Sequence, residues 1–321
     1  MSTRQQVLLT DRAWPDWSLE REILGKVGAD VIEAPDDSEA TLIRLAANVD
    51  AIGTCWAPVT RRIIEAAGRC RVIARFGIGL DNICVAAASE RGIPVTNVPD
   101  YCVTEVAEHT LALILAKARK IARFDRQAKQ GVYELQSGPP MRRLAGTVLG
   151  LIGFGQIGRA VFRRASAFGM TVVAHTPSAN DHQTGCRMVS FENLLEESDF
   201  VSLHLPLTES SRHLLRAEQF RLMKQTAVLV NTSRGGLVDT EALRTALSLG
   251  ELSGAALDVF DPEPPDLSDT LFRDDRVIVT PHAAFLSEES LLELRSRAAG
   301  QIAQALQGVQ PVHVVNPEVY E

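Results

Sequence analysis

Cysteine and aromatic residues are scarce in this sequence. Aromatic side chains make up 5% of the 321 residues, and the cysteines lack the CxxC spacing of zinc sites. The odd number of cysteines argues against a disulfide framework, and the absence of CxxC spacing argues against a zinc site. We expect all of them to be reduced and to pack in the interior; they are Cys55, Cys70, Cys84, Cys102 and Cys186.

The sequence also lacks long apolar runs and an excess of basic residues. Its longest apolar stretches, such as 111–116, fall well short of the roughly 20 residues that cross a bilayer. The N-terminal residues contain too short an apolar run for a signal peptide, which predicts a cytoplasmic protein. The formal net charge of −7 argues against nucleic acid or an anionic membrane as a partner.

What is present is the alternation of strand-like and helical patterns along a chain long enough for two domains. Up to residue 98, five short runs rich in β-branched residues alternate with helical patterns, which is typical of a parallel α/β sheet. An uninterrupted helical pattern without Gly or Pro then covers 104–130. The segment 131–143, which contains Pro139 and Pro140, has the composition of a loop.

A second α/β unit begins at Gly146 and contains six strand patterns separated by helical ones, which predicts a doubly wound sheet. The last helix is predicted to begin after Ser287, a plausible N-cap followed by Glu288 and Glu289, and to end near Gln307. No strand of the second unit is left for this helix to cover. We therefore expect it to return to the first unit.

A glycine-rich turn opens the first helix of the second unit. It has the G-x-G-x-x-G spacing of dinucleotide-binding turns and follows a strand, as that motif requires. The glycines permit a tight turn and a close approach of pyrophosphate, which the helix N-terminus attracts. The motif consists of Gly153, Phe154, Gly155, Gln156, Ile157 and Gly158.

The acidic residue that holds the ribose 2′-hydroxyl of NAD is missing from its expected place. His175 and Thr176 stand at the end of the second strand, and Asp181 is the nearest carboxylate. No Arg or Lys between Thr176 and Cys186 would hold the 2′-phosphate of NADP, so His175 is the only candidate cation. The sequence favours NAD and leaves NADP open.

Three polar segments are predicted to follow strands of the second sheet, where open α/β folds bind ligands. They are 231–236 (NTSRGG), 258–264 (DVFDPEP) and 280–284 (TPHAA). With these segments in this order, the chain resembles the D-isomer-specific 2-hydroxyacid dehydrogenase family over nearly its whole length. The resemblance implies an NAD(P)-dependent oxidoreductase that interconverts a small 2-oxo acid and its D-2-hydroxy acid.

The resemblance implies three catalytic residues whose chemistry fits that reaction. Arg234 would bind the substrate through a planar guanidinium that matches a carboxylate. His282 would contact the substrate and supply the proton when charge develops on the C2 oxygen. Glu263 would orient the imidazole and stabilise its protonated form.

The resemblance implies further binding residues in both units. Asp258 would bind the nicotinamide carboxamide, and a glycine loop of the first unit would bind the substrate carboxylate through its backbone N–H groups. That loop contains Arg75, which would add charge, with Gly77, Ile78 and Gly79. The other residues expected beside the cofactor are Thr104, His204, Pro206 and Thr232.

The fold implied is two doubly wound parallel-sheet α/β domains with a cleft between them. A flavodoxin-like substrate domain would comprise 1–98 and 286–321, and a Rossmann cofactor domain would comprise 99–285. Family members are generally homodimers, and the Ala/Leu-rich stretch 106–118 fits either the dimer interface or an internal helix.

Runs such as FGIGLDNI and TPHAAFLSEES look most like the C-terminal-binding-protein branch of the family. That branch raises an alternative function, an NADH-sensing corepressor that retains the catalytic residues. A short phosphoglycerate dehydrogenase also stays open. Formate dehydrogenases carry Gln where Glu263 stands, which argues against that branch. Phe285 stands where the corepressors carry Trp.

Overall fold

A computed structural model of the protein describes residues 4–135 and 141–321, so the Pro139–Pro140 pair lies outside the described residues. The chain divides into two compact units. The first comprises Met1–Tyr101 and Ser287–Glu321, and the second comprises Cys102–Leu286. In the described ranges, no helix is both long and apolar enough to span a membrane.

The first unit contains a five-stranded parallel sheet in the order β2-β1-β3-β4-β5, the flavodoxin-like order. Buried apolar residues line the sheet and its helices on one face. Its elements up to residue 96 are β1 (Gln5–Leu9), α1 (Ser18–Gly25), β2 (Ala29–Glu33), α2 (Glu39–Ala46), β3 (Ala51–Thr54), α3 (Arg61–Ala66), β4 (Ile73–Arg75), α4 (Val85–Glu90) and β5 (Val95–Thr96).

The second unit contains a seven-stranded parallel sheet in the order β12-β11-β10-β9-β6-β7-β8. Its strand order reverses between β6 and β9, and such a switch point is where doubly wound folds bind dinucleotides. Its elements are α5 (Val103–Ala118), α6 (Ile121–Lys129), β6 (Val148–Ile152), α7 (Gln156–Ala167), β7 (Thr171–His175), β8 (Arg187–Met188), α8 (Phe191–Glu197), β9 (Phe200–Leu203), α9 (Ala217–Leu222), β10 (Val228–Asn231), α10 (Thr240–Leu249), β11 (Gly254–Leu257) and β12 (Val277–Val279).

The C-terminal helix α11 (Glu288–Leu306) belongs to the first unit, as the sequence predicts. Ser287 caps it by accepting a hydrogen bond from the Ser290 N–H. The helix packs against the sheet, where a Cβ placed on Gly53 would lie 3.4 Å from Ile302 Cδ1. The chain therefore crosses from the first unit to the second and returns.

Two features of the second unit differ from the sequence prediction. The edge strand β8 was not predicted, because two residues are too short for a recognisable pattern. The predicted helix over 104–130 is two helices, since Lys120 takes a left-handed conformation with φ 54°. The residues of α5 that carry its apolar face, including Leu111 and Ile114, pack into the core of their own unit. The stretch 106–118 is thus an internal helix.

Candidate active site

The glycine turn joins β6 to α7 at the switch point of the second sheet. Gly153 has φ 96°, and a Cβ there would lie 2.1 Å from the backbone oxygen of His204. A Cβ on Gly158 would lie 2.6 Å from the Gly153 oxygen. Both positions therefore require glycine for close packing.

Gly155 has a different role in the same turn. It is the N-cap of the 12-residue helix α7, and nothing lies within 4 Å of a Cβ placed there. Its exposed side leaves room at the helix N-terminus, where Gln156 and Ile157 occupy the first turn. The unpaired N–H groups of such a turn attract an anion. The turn therefore fits the pyrophosphate of a dinucleotide.

The residues expected near the adenosine ribose carry no available carboxylate. His175 Nδ1 lies 3.0 Å from the Val189 oxygen and, because a carbonyl only accepts, carries the proton. Asp181 accepts hydrogen bonds from the backbone N–H groups of Gln183 and Gly185 at 3.0 and 3.1 Å, so both of its oxygens are turned toward its own loop. The Thr176 hydroxyl lies 3.3 Å from that of Ser178, and the Thr176 backbone oxygen accepts the Ala179 N–H at 3.0 Å.

The other residues expected beside the cofactor occupy different environments. His204 bonds to the Ser202 hydroxyl at 2.9 Å, and burial lowers the pKa of its imidazole to about 3. Its ring is therefore neutral and supplies no charge. Pro206 and Thr104 are exposed. Thr232 is buried with its hydroxyl 3.0 Å from that of Thr110, so only its backbone remains for the predicted cofactor contact.

Three neighbouring strands end together at the carboxyl edge of the second sheet. Asn231 of β10 pairs with Leu257 of β11, and Leu257 pairs with Val279 of β12. The ladder continues into the following loops, because the Asp258 N–H donates to the Asn231 oxygen at 2.9 Å. The His282 N–H donates to the Asp258 oxygen at 2.7 Å. The three polar segments predicted from the sequence are therefore adjacent.

The loop that carries Arg234 packs directly on the loop that follows β11. The side-chain amide of Asn231 donates to the Arg234 oxygen at 2.8 Å. A Cβ on Gly235 would lie 1.9 Å from the Phe260 carbonyl carbon, so the two loops touch. The Arg234 side chain is half-buried, with Nη1 2.8 Å from the Ser233 oxygen.

Glu263 joins that loop to His282. One carboxylate oxygen accepts the Phe260 N–H at 2.8 Å, and the other lies 2.7 Å from His282 Nδ1. An ionised carboxylate only accepts, so Nδ1 carries a proton and Nε2 is the nitrogen that can exchange one. Phe285 packs edge-on against the imidazole, 6.0 Å between ring centres.

Asp258 holds the loop on which His282 lies. Its side chain is fully buried and accepts the Thr280 hydroxyl at 2.5 Å, the Ala283 N–H at 2.8 Å and the Ala284 N–H at 2.9 Å. His282 has φ 51°, a conformation that persists only where surroundings impose it. Because both Asp258 oxygens are engaged, the predicted carboxamide contact stays a prediction.

The glycine loop of the first unit exposes backbone N–H groups by fixing its carbonyl groups. Asn97 Nδ2 donates to the Ile78 oxygen at 2.8 Å, and the Val98 N–H donates to the Gly77 oxygen at 3.0 Å. Arg75 donates to the Gly79 oxygen at 3.0 Å and also to the Phe76 oxygen. Among the described residues, the N–H groups of Gly77, Ile78 and Gly79 have no acceptor.

The expected contribution of charge from Arg75 to substrate binding stays a prediction, and the structure shows where its side chain lies. The residue is 7% exposed, and its guanidinium lies within its own loop, 2.7 Å from a Cβ placed on Gly77. Carbonyl oxygens in a glycine loop have few other donors nearby, and the fork of Arg75 supplies them. Arg75 therefore shapes the loop.

Comparison with known proteins places this geometry in a family. Residues 111–284 match the model of the D-isomer specific 2-hydroxyacid dehydrogenase, NAD binding domain. The chain belongs to this family. A glyoxylate reductase of Korarchaeum cryptofilum is 41% identical over 298 residues, which cover 89% of this chain and 88% of that protein.

Solved structures of similar proteins match the fold of this chain over nearly its whole length. The D-lactate dehydrogenase of Aquifex aeolicus, complexed with NAD and lactic acid, is 29% identical with a TM-score of 0.88, covering 97% of this chain and 99% of that one. An NADPH-dependent glyoxylate/hydroxypyruvate reductase of Sinorhizobium meliloti, with NADP and malonate, is 26% identical with a TM-score of 0.88, covering 98% and 97%.

The protein is thus an NAD(P)-dependent D-2-hydroxyacid dehydrogenase with two parallel-sheet α/β domains. The corepressor alternative is not favoured, because the relatives found are reductases and dehydrogenases. The assignment to the C-terminal-binding-protein branch stays a prediction. In the described part of the chain, no three His, Cys, Asp or Glu side chains are grouped to hold a metal ion.

Proposed function

We propose that this enzyme reduces a small 2-oxo acid, glyoxylate or hydroxypyruvate, with His282, Glu263 and Arg234 as its catalytic residues. The observation that carries the proposal is the 2.7 Å contact between His282 Nδ1 and Glu263 at the carboxyl edge of a dinucleotide-binding sheet. The Arg234 loop packs on the same segment through Gly235.

The reaction needs a hydride, which the reduced nicotinamide supplies when bound. His282 then gives the proton on Nε2 to the C2 oxygen, where negative charge develops. Glu263 compensates the positive charge of the imidazolium before transfer and keeps the ring oriented afterwards. Arg234 binds the substrate through two parallel N–H groups, which a lysine could not provide.

The substrate carboxylate is assigned to the loop that contains Gly77, Ile78 and Gly79. Consecutive N–H groups without protein acceptors form a concavity for an anion. In this proposal, 1–98 with 286–321 is the substrate domain and 99–285 is the cofactor domain. The small substrate is supported by the 41% identical glyoxylate reductase.

NADH is the proposed preferred cofactor, with NADPH also accepted. β7 ends in His175 and not in a carboxylate, and Asp181, the nearest carboxylate, lies in the following loop with its oxygens on the backbone N–H groups of that loop. Between Thr176 and Cys186 the sequence has no Lys or Arg to attract one. Discrimination between the two cofactors should therefore be weak.

Steady-state oxidation of NADH and NADPH tests the proposal against a panel of 2-oxo acids. Glyoxylate and hydroxypyruvate should give the highest kcat/KM, pyruvate a lower one, and branched or aromatic 2-oxo acids the lowest. A preference for a large 2-oxo acid would contradict the proposed substrate class. Failure to oxidise either cofactor with any member of the panel would contradict the catalytic roles.

A homodimer is proposed through the segment that follows α6. This segment carries exposed large apolar side chains, with Tyr133 96% and Leu135 91% exposed. A contiguous exposed apolar patch is typical of a contact with another protein. Light scattering should give twice the 35.0 kDa chain mass, and Tyr133→Asp with Leu135→Asp should give the chain mass. A monomeric wild type would contradict the assignment.

A cytoplasmic location is proposed for the enzyme. It is supported by five cysteines that form no disulfide. Fractionation of the source cells tests this proposal. Recovery of the protein in an extracellular or membrane fraction would contradict it.

A further inference from the structure

The second unit contains another histidine that interacts with a carboxylate, on the helix behind the catalytic edge. His109 lies on α5, with its side chain 23% exposed. Its Nε2 is 3.0 Å from the Thr280 hydroxyl and 3.6 Å from Asp258 Oδ1. Thr280 immediately precedes the Pro-His pair that contains His282. We propose that His109 is a positioning residue that acts on His282 through Thr280 and Asp258, an inference that rests on the proposed function.

The direction of the hydrogen bonds follows from the donors available. Thr280 has one hydroxyl proton, and its oxygen is 2.5 Å from Asp258 Oδ1, which only accepts when ionised. Thr280 therefore donates to Asp258. Its oxygen can then only accept from His109, so His109 Nε2 carries a proton. His109 donates to Thr280 and Thr280 donates to Asp258, so the two hydrogen bonds run in one direction and end on the carboxylate.

Asp258 connects His109 and Thr280 to the loop that carries His282, because it accepts hydrogen bonds from the backbone of that loop. Three consecutive N–H groups donate to this residue: His282 to its backbone oxygen, and Ala283 and Ala284 to its side chain. The side chain is fully buried, so each donor matters to the stability of its charge. Thr280 supplies the side-chain donor to Asp258, and His109 donates in turn to Thr280.

The adjacent residue on α5 makes a parallel contact. Thr110 Oγ1 lies 3.0 Å from Thr232 Oγ1, just beyond β10, whereas Thr280 lies just beyond β12. Two neighbouring residues of one helix therefore contact the loops on either side of Asp258. The helix itself is anchored in the core through Leu111 and Ile114. A fixed helix can define the position of a loop that has no regular structure.

Substitution of His109 tests the proposal by the split between kcat and KM. His109→Leu should lower kcat for glyoxylate reduction about tenfold, while KM and the Kd of NADH change less than about twofold. His109→Gln, which places an amide N–H at a similar reach, should restore most of the loss. The control Glu108→Gln, at an exposed position of the same helix, should behave as wild type.

A double-mutant cycle tests whether His109 acts through Thr280. Thr280→Val should lower kcat as His109→Leu does, and the combined variant should be no slower than either. Thr280→Ser, which keeps the hydroxyl, should be near wild type. Three results would each overturn the proposal. The first is a combined variant whose loss in kcat is the product of the two single losses. The others are a His109→Leu variant with wild-type kcat and a His109→Gln variant as slow as His109→Leu.

The protonation of His109 can be measured without turnover. In ¹⁵N-histidine-labelled protein, the His109 signal should report a proton on Nε2 and disappear in His109→Gln. A proton found only on Nδ1 would overturn the proposal even if the enzyme reduced no 2-oxo acid. Conversely, an active wild type with normal His109→Leu kinetics would leave the proposed function intact and remove His109 from it.

Discussion

The carboxyl edges of the two sheets carry different chemical groups. In the second unit, side chains are presented there: Arg234, and Glu263 bonded to His282 at 2.7 Å. In the first unit, the loop 75–79 presents backbone N–H groups, and its one charged side chain, Arg75, is turned inward to hold the carbonyl groups. Proton transfer needs a group that titrates, whereas carboxylate binding needs only fixed donors. The second edge should therefore be sensitive to side-chain identity, and the first to an added Cβ.

The largest effect is expected from removing the titrating group of the second edge. His282→Ala should lower kcat by about 10³-fold, the size of effect expected when a positioned general acid is removed. NADH binding, measured by fluorescence titration, should be retained. Unchanged turnover would remove His282 from the proposed mechanism and leave the second edge with a binding role like that of the first.

Arg234→Lys should have the next largest effect. We expect kcat/KM for glyoxylate to fall about 100-fold, since a point charge replaces a fork that makes two parallel bonds. Arg212→Lys is the matched control, because Arg212 is exposed and pairs with Asp261 at 2.8 Å. Equal losses in the two variants would indicate a general effect of replacing a guanidinium by an ammonium group and contradict the specific role of Arg234.

Gly77→Ala tests the first edge through the added Cβ. That atom would lie 2.7 Å from the Arg75 guanidinium and displace it from the loop carbonyls. We expect KM for the 2-oxo acid to rise about tenfold with kcat nearly unchanged, the pattern of lost uniform binding. Gly68→Ala, in open space of the same unit, is the control. A fall in kcat at constant KM would mean that the first edge, like the second, contributes to catalysis and not only to substrate binding.

The smallest effect is expected from removing the hydrogen bond that holds one carbonyl group of the same loop. Asn97→Ala removes the donor to the Ile78 oxygen, 2.8 Å away in the wild type, and adds no charge beside the loop. KM should rise about three- to fivefold, in line with one net hydrogen bond. If initial-rate measurements show no change, the loop is shaped by Arg75 alone.

Much of the fold could be predicted from local patterns. The five strands of the first sheet, six of the seven in the second and the N-cap at Ser287 follow from alternation and capping, which neighbouring residues determine. Local patterns did not reveal β8, whose two residues pair with β7. They also did not reveal the break at Lys120, where no Gly or Pro marks the end of a helix.

The sequence by itself determined where glycine turns and polar segments follow strands, because parallel strands bring their carboxyl ends to one edge. Only the tertiary structure decided which side chains meet there. Arg75 turns into its own loop, and His109 contacts Thr280 across 171 residues of chain. Such contacts depend on how a helix packs on a sheet, and neither the spacing nor the composition of the chain carries that information.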